Sequence, residues 1–179
     1  MLVGEIGRLT QLFNQQPGVS IQTYYQSRSL SIKGFVLDKS NQESIIAAFN
    51  QVPGIKQTTI NIANQLPKIE EKIYFDSASN KINIISNSDQ IESVIVFLNQ
   101  YPDLNLRLLA YGDGIGSKKI NEKLGSERCS NLKDALIAKG VDSFRLVTDC
   151  GTRRIFKRQP HQAFKLTRYV EFESFIPTK

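Results

Sequence analysis

The sequence contains no tryptophan, one methionine, one histidine and two cysteines in 179 residues, and each scarcity removes a class of chemistry. A Ser-His or Cys-His pair would have to use His161, which lies in a basic stretch and reads as a surface residue. Cys129 and Cys150 lack C-x-x-C spacing, so neither zinc ligation nor a thioredoxin-type motif is supported. A disulfide between them would fit an oxidising compartment, and sequence alone does not decide it. No apolar run approaches the ~20 residues of a membrane helix. Residues 1–8 lack a charged region followed by an apolar one, so no signal peptide is expected. Gly114, Gly116 and Gly125 are not followed by Lys-Ser/Thr in P-loop spacing. The resulting expectation is a non-enzyme: no catalytic residues, no metal site and no cofactor.

What is present is ordinary globular composition, with 40% hydrophobic and 22% charged residues. The formal net charge of +6 is concentrated. Residues 151–168 carry Arg153, Arg154, Lys157, Arg158, Lys165 and Arg168 and no acid, with Phe156 and Phe164 among them. Such a patch fits a phospholipid surface, an anionic glycan or nucleic acid. A solvated loop whose phenylalanines return to the core is the favoured reading. No nucleic-acid motif accompanies it, so nucleic acid is the disfavoured partner.

Two units are expected, 1–65 and 66–179. In the first, Ile6, Leu9, Leu12 and Phe13 recur at helical spacing. Pro17-Gly18 ends that helix and strand-like V-S-I-Q-T-Y-Y follows. Leu30, Ile32 and Phe35 to Leu37 form the next strand. Asp38 or Ser40 then caps a helix carrying Ile45, Ile46, Ala48 and Phe49. An alternating strand follows Pro53-Gly54. An internal repeat supports this order: F-N-Q-Q-P-G-V at 13–19 recurs as F-N-Q-V-P-G-I at 49–55. In the second unit, Ile91, Val94, Ile95 and Leu98 mark one amphipathic helix. Ile120, Leu124, Leu132, Ala135 and Leu136 mark another.

The stretch 110–128, A-Y-G-D-G-I-G-S-K-K-I-N-E-K-L-G-S-E-R, carries the most chemistry. A buried strand over 104–110 ends in a Gly-rich turn bearing Asp113. A helix from near Ser117 then presents Asn121 and Arg128 two turns apart on one face. A carboxylate at a strand end and a guanidinium on the next helix form a two-pronged site for a zwitterion. The acid takes an ammonium and the arginine takes a carboxylate in a bidentate fork. Read singly, Asp113 is a helix cap and Arg128 a solvated charge; together they point to a shared ligand.

These positions resemble the signature of OmpA-like domains, the peptidoglycan-binding module shared with Pal lipoproteins and MotB. Asp113, Gly116, Ser117, Asn121, Leu124 and Arg128 fall on its fixed offsets, I-Y-F-D at 73–76 resembles its opening strand, and T-R-Y-V-E at 167–171 stands where the family has N-R-R-V-E. The resemblance spans roughly residues 68–176. Here Gly112 stands for the family's threonine, Gly125 for serine, Cys129 for alanine, Thr167 for asparagine and Tyr169 for the second arginine. The resemblance implies that Asp113 and Arg128 grip the diaminopimelate of the stem peptide, with Asn121 supporting and Arg168 adding a positive contact. Residues 4–63, with an αββαβ order, resemble the BON domain of bacterial envelope proteins, a module associated with phospholipid or partner binding.

The expected fold is α/β of the α+β type: a small αββαβ sandwich, then an OmpA-like βαβαββ domain with helices packed on one mixed sheet. The expected function is non-catalytic binding of cell-wall peptidoglycan, anchoring an envelope protein on the periplasmic side as part of a longer or processed chain. The alternative is an OmpA-like scaffold with a drifted pocket that holds an envelope protein or an anionic phospholipid surface. A cytoplasmic setting stays open, and the sequence defines no oligomeric state.

Overall fold

The computed structural model describes residues 2–112, 115–150 and 167–177, and the backbone of 154–155. The chain divides into two compact units, Met1–Pro67 and Lys68–Lys179.

In the first unit, helix α1 (Leu2–Asn14) buries Ile6, Leu9 and Phe13. Leu12, expected on the same stripe, is exposed, because the 6-9-13 line excludes a residue one step before Phe13. Strands β1 (Val19–Gln26) and β2 (Ser29–Val36) pair antiparallel around a two-residue turn. Ser27 and Arg28 both have positive φ, 51° and 66°, as a twist-matched hairpin turn requires. Helix α2 (Lys39–Asn50) starts at Asp38, whose side chain accepts from the Ser40 N–H. That backbone hydrogen bond holds the carboxyl below its ordinary range. Strand β3 (Gln57–Ala63) returns parallel to β2, so the sheet order is β1-β2-β3. The observed order is the expected αββαβ. Both copies of the repeat end a helix, and their glycines, Gly18 and Gly54, take φ values of 74° and 98°. Their phenylalanines, Phe13 and Phe49, meet in the core with ring centroids 6.2 Å apart.

The second unit is a five-stranded mixed sheet. Strand β4 (Lys72–Tyr74) is followed by α3 (Ser88–Gln100), β5 (Asn105–Gly112) and α4 (Lys118–Ala138). Strands β6 (Leu146–Thr148), β7 (Arg154–Ile155) and β8 (Tyr169–Phe175) complete it. The order is β4-β8-β5-β6, with β7 also pairing with β5. The expected β-α-β-α-β-β succession is present, with the two-residue β7 added. Register places Ile73, Leu106, Leu108, Ala110, Val170 and Phe172 on one sheet face, and α3 and α4 bury Ile91, Val94, Phe97, Leu98, Leu132 and Leu136 in the same unit. The stripe of α4 differs from the expected one. Ile120 is 66% exposed, and the buried line runs through Gly125, Arg128, Cys129, Leu132 and Leu136. A glycine and a cysteine lie on that line, so apolar bulk misplaced it by a fraction of a turn.

Candidate functional site

The Gly-rich turn between β5 and α4 is organised by backbone and amide chemistry. Gly116 has φ 90°, and the Ser117 hydroxyl caps α4 by accepting from the Ile120 N–H. The Asn121 side-chain amide donates to Ile115 O at 2.8 Å and to Ser117 O at 3.0 Å. A Cβ at Gly112 would lie 4.0 Å from Asn121 Oδ1. Asn121 therefore pins the turn from the helix side. Asp113 lies outside the described residues, as do Arg153, Lys157, Arg158, His161, Lys165 and the side chain of Arg154.

Arg128 sits inside the packed face of α4 at 3% exposure, so it is not the solvated charge that it suggests when read singly. Its Nε donates to Ser79 O at 2.9 Å and its Nη2 to Asp76 O at 3.1 Å. The guanidinium carbon lies 5.1 Å from the Phe75 ring centroid. Arg168 reaches the same segment, its Nε donating to Phe75 O at 3.4 Å while its own carbonyl accepts from the Phe75 N–H. The structure thus brings Arg128 and Arg168 together on residues 75–79, while Asn121, in the first turns of α4, holds residues 115–117. Thr167, beside Arg168, is fully buried.

Several residues that hold this site gave no sequence signal. Asn80 donates to Glu127 Oε2 at 2.8 Å, and Asn131 donates to Asn80 O at 2.9 Å. Glu127, Arg128 and Asn131 therefore strap the loop after β4 onto α4. Glu127 and Asn131 are spaced i, i+4 beside Arg128, the one pattern that could have revealed them. Asn87, 4% exposed, accepts from the Tyr74 N–H and donates to Asn83 O, joining β4 to the start of α3.

On the opposite sheet face Tyr169 stacks on Tyr111, with centroids 4.8 Å apart and planes at 19°, and lies 5.9 Å from Tyr74. Lys72 Nζ stands 4.5 Å over the Tyr169 ring. Burial, reinforced by Glu171, pushes the Tyr169 hydroxyl up to about 12. A tyrosine ionising near 10 when unfolded and near 12 when folded favours the folded state fully below pH 10. That contribution is lost as pH rises from 10 through 12. Tyr169→Phe is expected to flatten this segment of the alkaline stability curve, measured by denaturant titration at each pH. An unchanged slope would assign the loss to other groups.

Cys129 and Cys150 form a disulfide, with Cα atoms 6.3 Å apart. Among the described residues no group of three or more His, Cys, Asp or Glu is placed to hold a metal ion. No described helix is long and apolar enough to cross a membrane.

No family model matches the sequence. The outer membrane protein Omp38 of Acinetobacter baumannii is 34% identical over 82 residues, covering 45% of this chain and 22% of that protein. The peptidoglycan-associated lipoprotein of Mesorhizobium japonicum is 31% identical over 97 residues, 54% of this chain and 53% of the lipoprotein. The chain thus spans about a fifth to a half of the length of these curated relatives. The crystal structure of the peptidoglycan-associated lipoprotein from Burkholderia pseudomallei aligns with 59% of this chain and 91% of its own, at TM-score 0.51 and 17% identity. The chain is a mixed α/β protein, similar over part of its length to outer-membrane and peptidoglycan-associated proteins, and its aligned part shares the fold of an OmpA-like domain.

Proposed function

We propose that the second unit binds cell-wall peptidoglycan without catalysis and so anchors an envelope protein on the periplasmic side. In this reading Asp113 accepts the ammonium of a diaminopimelate side chain and Arg128 takes its carboxylate. Asn121 holds the turn between them, and Arg168 adds positive charge beside the 75–79 loop. The carrying observation is Arg128: a permanently charged group, out of water, fixed on two loop carbonyls and an aromatic ring. A guanidinium fixed before binding loses little side-chain entropy when it meets a carboxylate. Support also comes from the relatives, which include a peptidoglycan-associated lipoprotein. Each charge-assisted bond contributes on the order of 1.5–3 kcal/mol, so two prongs give roughly micromolar to millimolar affinity. Many sites on a polymer raise that by avidity. The αββαβ order and the repeat of the first unit support a BON-like partner module.

The test is retention on purified diaminopimelate-type sacculi at moderate salt, comparing wild type with Asp113→Asn and Arg128→Lys. Arg128→Ala is the poorer probe, because it strips Asp76 O and Ser79 O of a donor and opens a cavity. Wild-type retention that both substitutions reduce at least tenfold, with both variants folded at the assay temperature, is the expected result. Wild-type protein that stays in solution sinks the wall reading. Retention that survives both substitutions and collapses steeply between low and moderate salt would assign binding to the basic residues 153–168.

A further inference from the structure

Gly125 and Cys129 lie one turn apart on the buried line of α4, and both face Cys150. A Cβ at Gly125 would sit 3.3 Å from Cys150 O and 3.4 Å from Ala110 Cβ. A side chain there would press the Cys150 backbone away by a few tenths of an ångström, so the glycine lets that segment lie close against the helix. Four residues on, Cys129 is bonded to Cys150 across a Cα separation of 6.3 Å, which a disulfide spans without backbone movement. Cys150 Sγ lies 3.0 Å from Leu108 O, and the Asp149 N–H donates to the same carbonyl. One locus therefore ties α4, β5 and the segment after β6. Arg128 adjoins Cys129 in sequence. Four residues past Cys150, β7 pairs its Arg154 and Ile155 with Tyr111 and Gly112 at the mouth of the turn.

We propose that Gly125, Cys129 and Cys150 form a positioning lock set by oxidation, so that the Arg128 site reaches its binding geometry only in chains whose two cysteines have been joined. The proposal rests on the peptidoglycan reading for its ligand. The two thiols lose two protons and two electrons as the S–S bond forms. A disulfide-bearing oxidant, protein or small molecule, accepts them as its own S–S bond breaks to two thiols. Cys129 is fully buried and Cys150 is 4% exposed, so a reductant reaches the bond only through opening of the fold. The state is set during folding in an oxidising compartment and persists afterwards.

The experiment folds the full chain with a disulfide oxidant or under reductant, alongside a Cys129→Ala/Cys150→Ala double variant. Free thiols are counted in denaturant, melting and amide exchange over residues 105–112 and 118–128 are measured, and sacculus retention is compared. The oxidised form is expected to have no free thiols and to resist reductant until denaturant is added. It is expected to melt roughly 10 °C or more higher, exchange more slowly in both segments and bind sacculi at least tenfold better than the other two forms. Two free thiols after oxidative folding overturn the proposal. So does equal retention of folded oxidised and reduced forms. Reduced and double-variant chains that fail to fold at all also overturn it, because the bond is then a plain stability element. If no form is retained on sacculi, the peptidoglycan reading fails, and the exchange comparison alone decides the lock: a difference sustains it, equality removes it.

Discussion

Gly34→Ala is expected to unfold the first unit while leaving the second folded. Gly34 sits in the middle of β2, the central strand, paired with Ile21 on one side and Ile62 on the other. Its φ is 146°, and a Cβ there would lie 2.0 Å from Ser20 O and 2.9 Å from Ile21 Cα. These neighbours are backbone atoms of a paired strand, so no rotamer change relieves the overlap. Relief requires β1 to leave β2, which takes Val19 and Ile21 out of the core they share with Leu30 and Ile32. Backbone strain of about 1–3 kcal/mol adds to lost ladder bonds of about 1 kcal/mol each. The total, about 4–6 kcal/mol, approaches the whole stability of a domain this small. Amide spectra of the full chain should lose dispersion over residues 19–63 and keep it over 88–148. A loss under 1 kcal/mol in denaturant titration would mean that the two strands can separate freely at this point.

Arg145→Ala is expected to lower the stability of the second unit by about 3–4 kcal/mol, or roughly 10–20 °C in its midpoint. Arg145 closes the C-terminal end of α3: Nη1 donates to Leu98 O at 3.0 Å, and Nη2 donates to Tyr101 O at 2.8 Å and to Leu104 O. A cation there also meets the negative end of the helix dipole. Desolvation pulls its pKa down while Asp142 and Asp103 raise it, and it remains charged throughout the physiological range. Truncation takes a donor from each of the three carbonyls, of which Tyr101 O keeps the Leu104 N–H, and leaves a void beside Leu104. Arg145→Lys should recover less than half of the loss, since one ammonium cannot copy a planar fork spread over three carbonyls. A melting point for the alanine variant within 3 °C of wild type would show that water replaces the guanidinium at all three.

Wherever local chemistry decides an element, the sequence reading and the structure agree. Pro17-Gly18 and Pro53-Gly54 end helices because the chain needs positive φ there, and Asp38 caps because its oxygen reaches the first free N–H groups. Agreement ends where tertiary contact decides. Apolar bulk put Ile120 on the buried stripe of α4, yet a glycine, an arginine and a cysteine occupy it, because a backbone segment and a polar loop press there. Gly34 carries no signal of its own in the sequence, and only the neighbouring strand reveals it as a steric requirement. Of the candidate site, Asn121 and Arg128 were named from helical spacing, and Arg168 from the resemblance alone. The straps through Asn80, Glu127 and Asn131, and the plug formed by Arg145, depend on hydrogen bonds between residues more than 40 apart in sequence, which no local pattern records.

The placement of β8 has a consequence for how the second unit comes into being. This strand, the last of its sheet in sequence, does not lie at an edge but between β4 and β5. Until residues 169–175 have been made, β4 has no neighbour and β5 lacks its longest pairing. A nascent chain therefore cannot close this sheet while it is being synthesised from its N-terminal side, and the decisive contacts span about a hundred residues, a high contact order. The second unit therefore stays open until late. Closure of the sheet thus reports the arrival of its final strand, and removing residues 169–175 would leave β4 and β5 with no strand to join them.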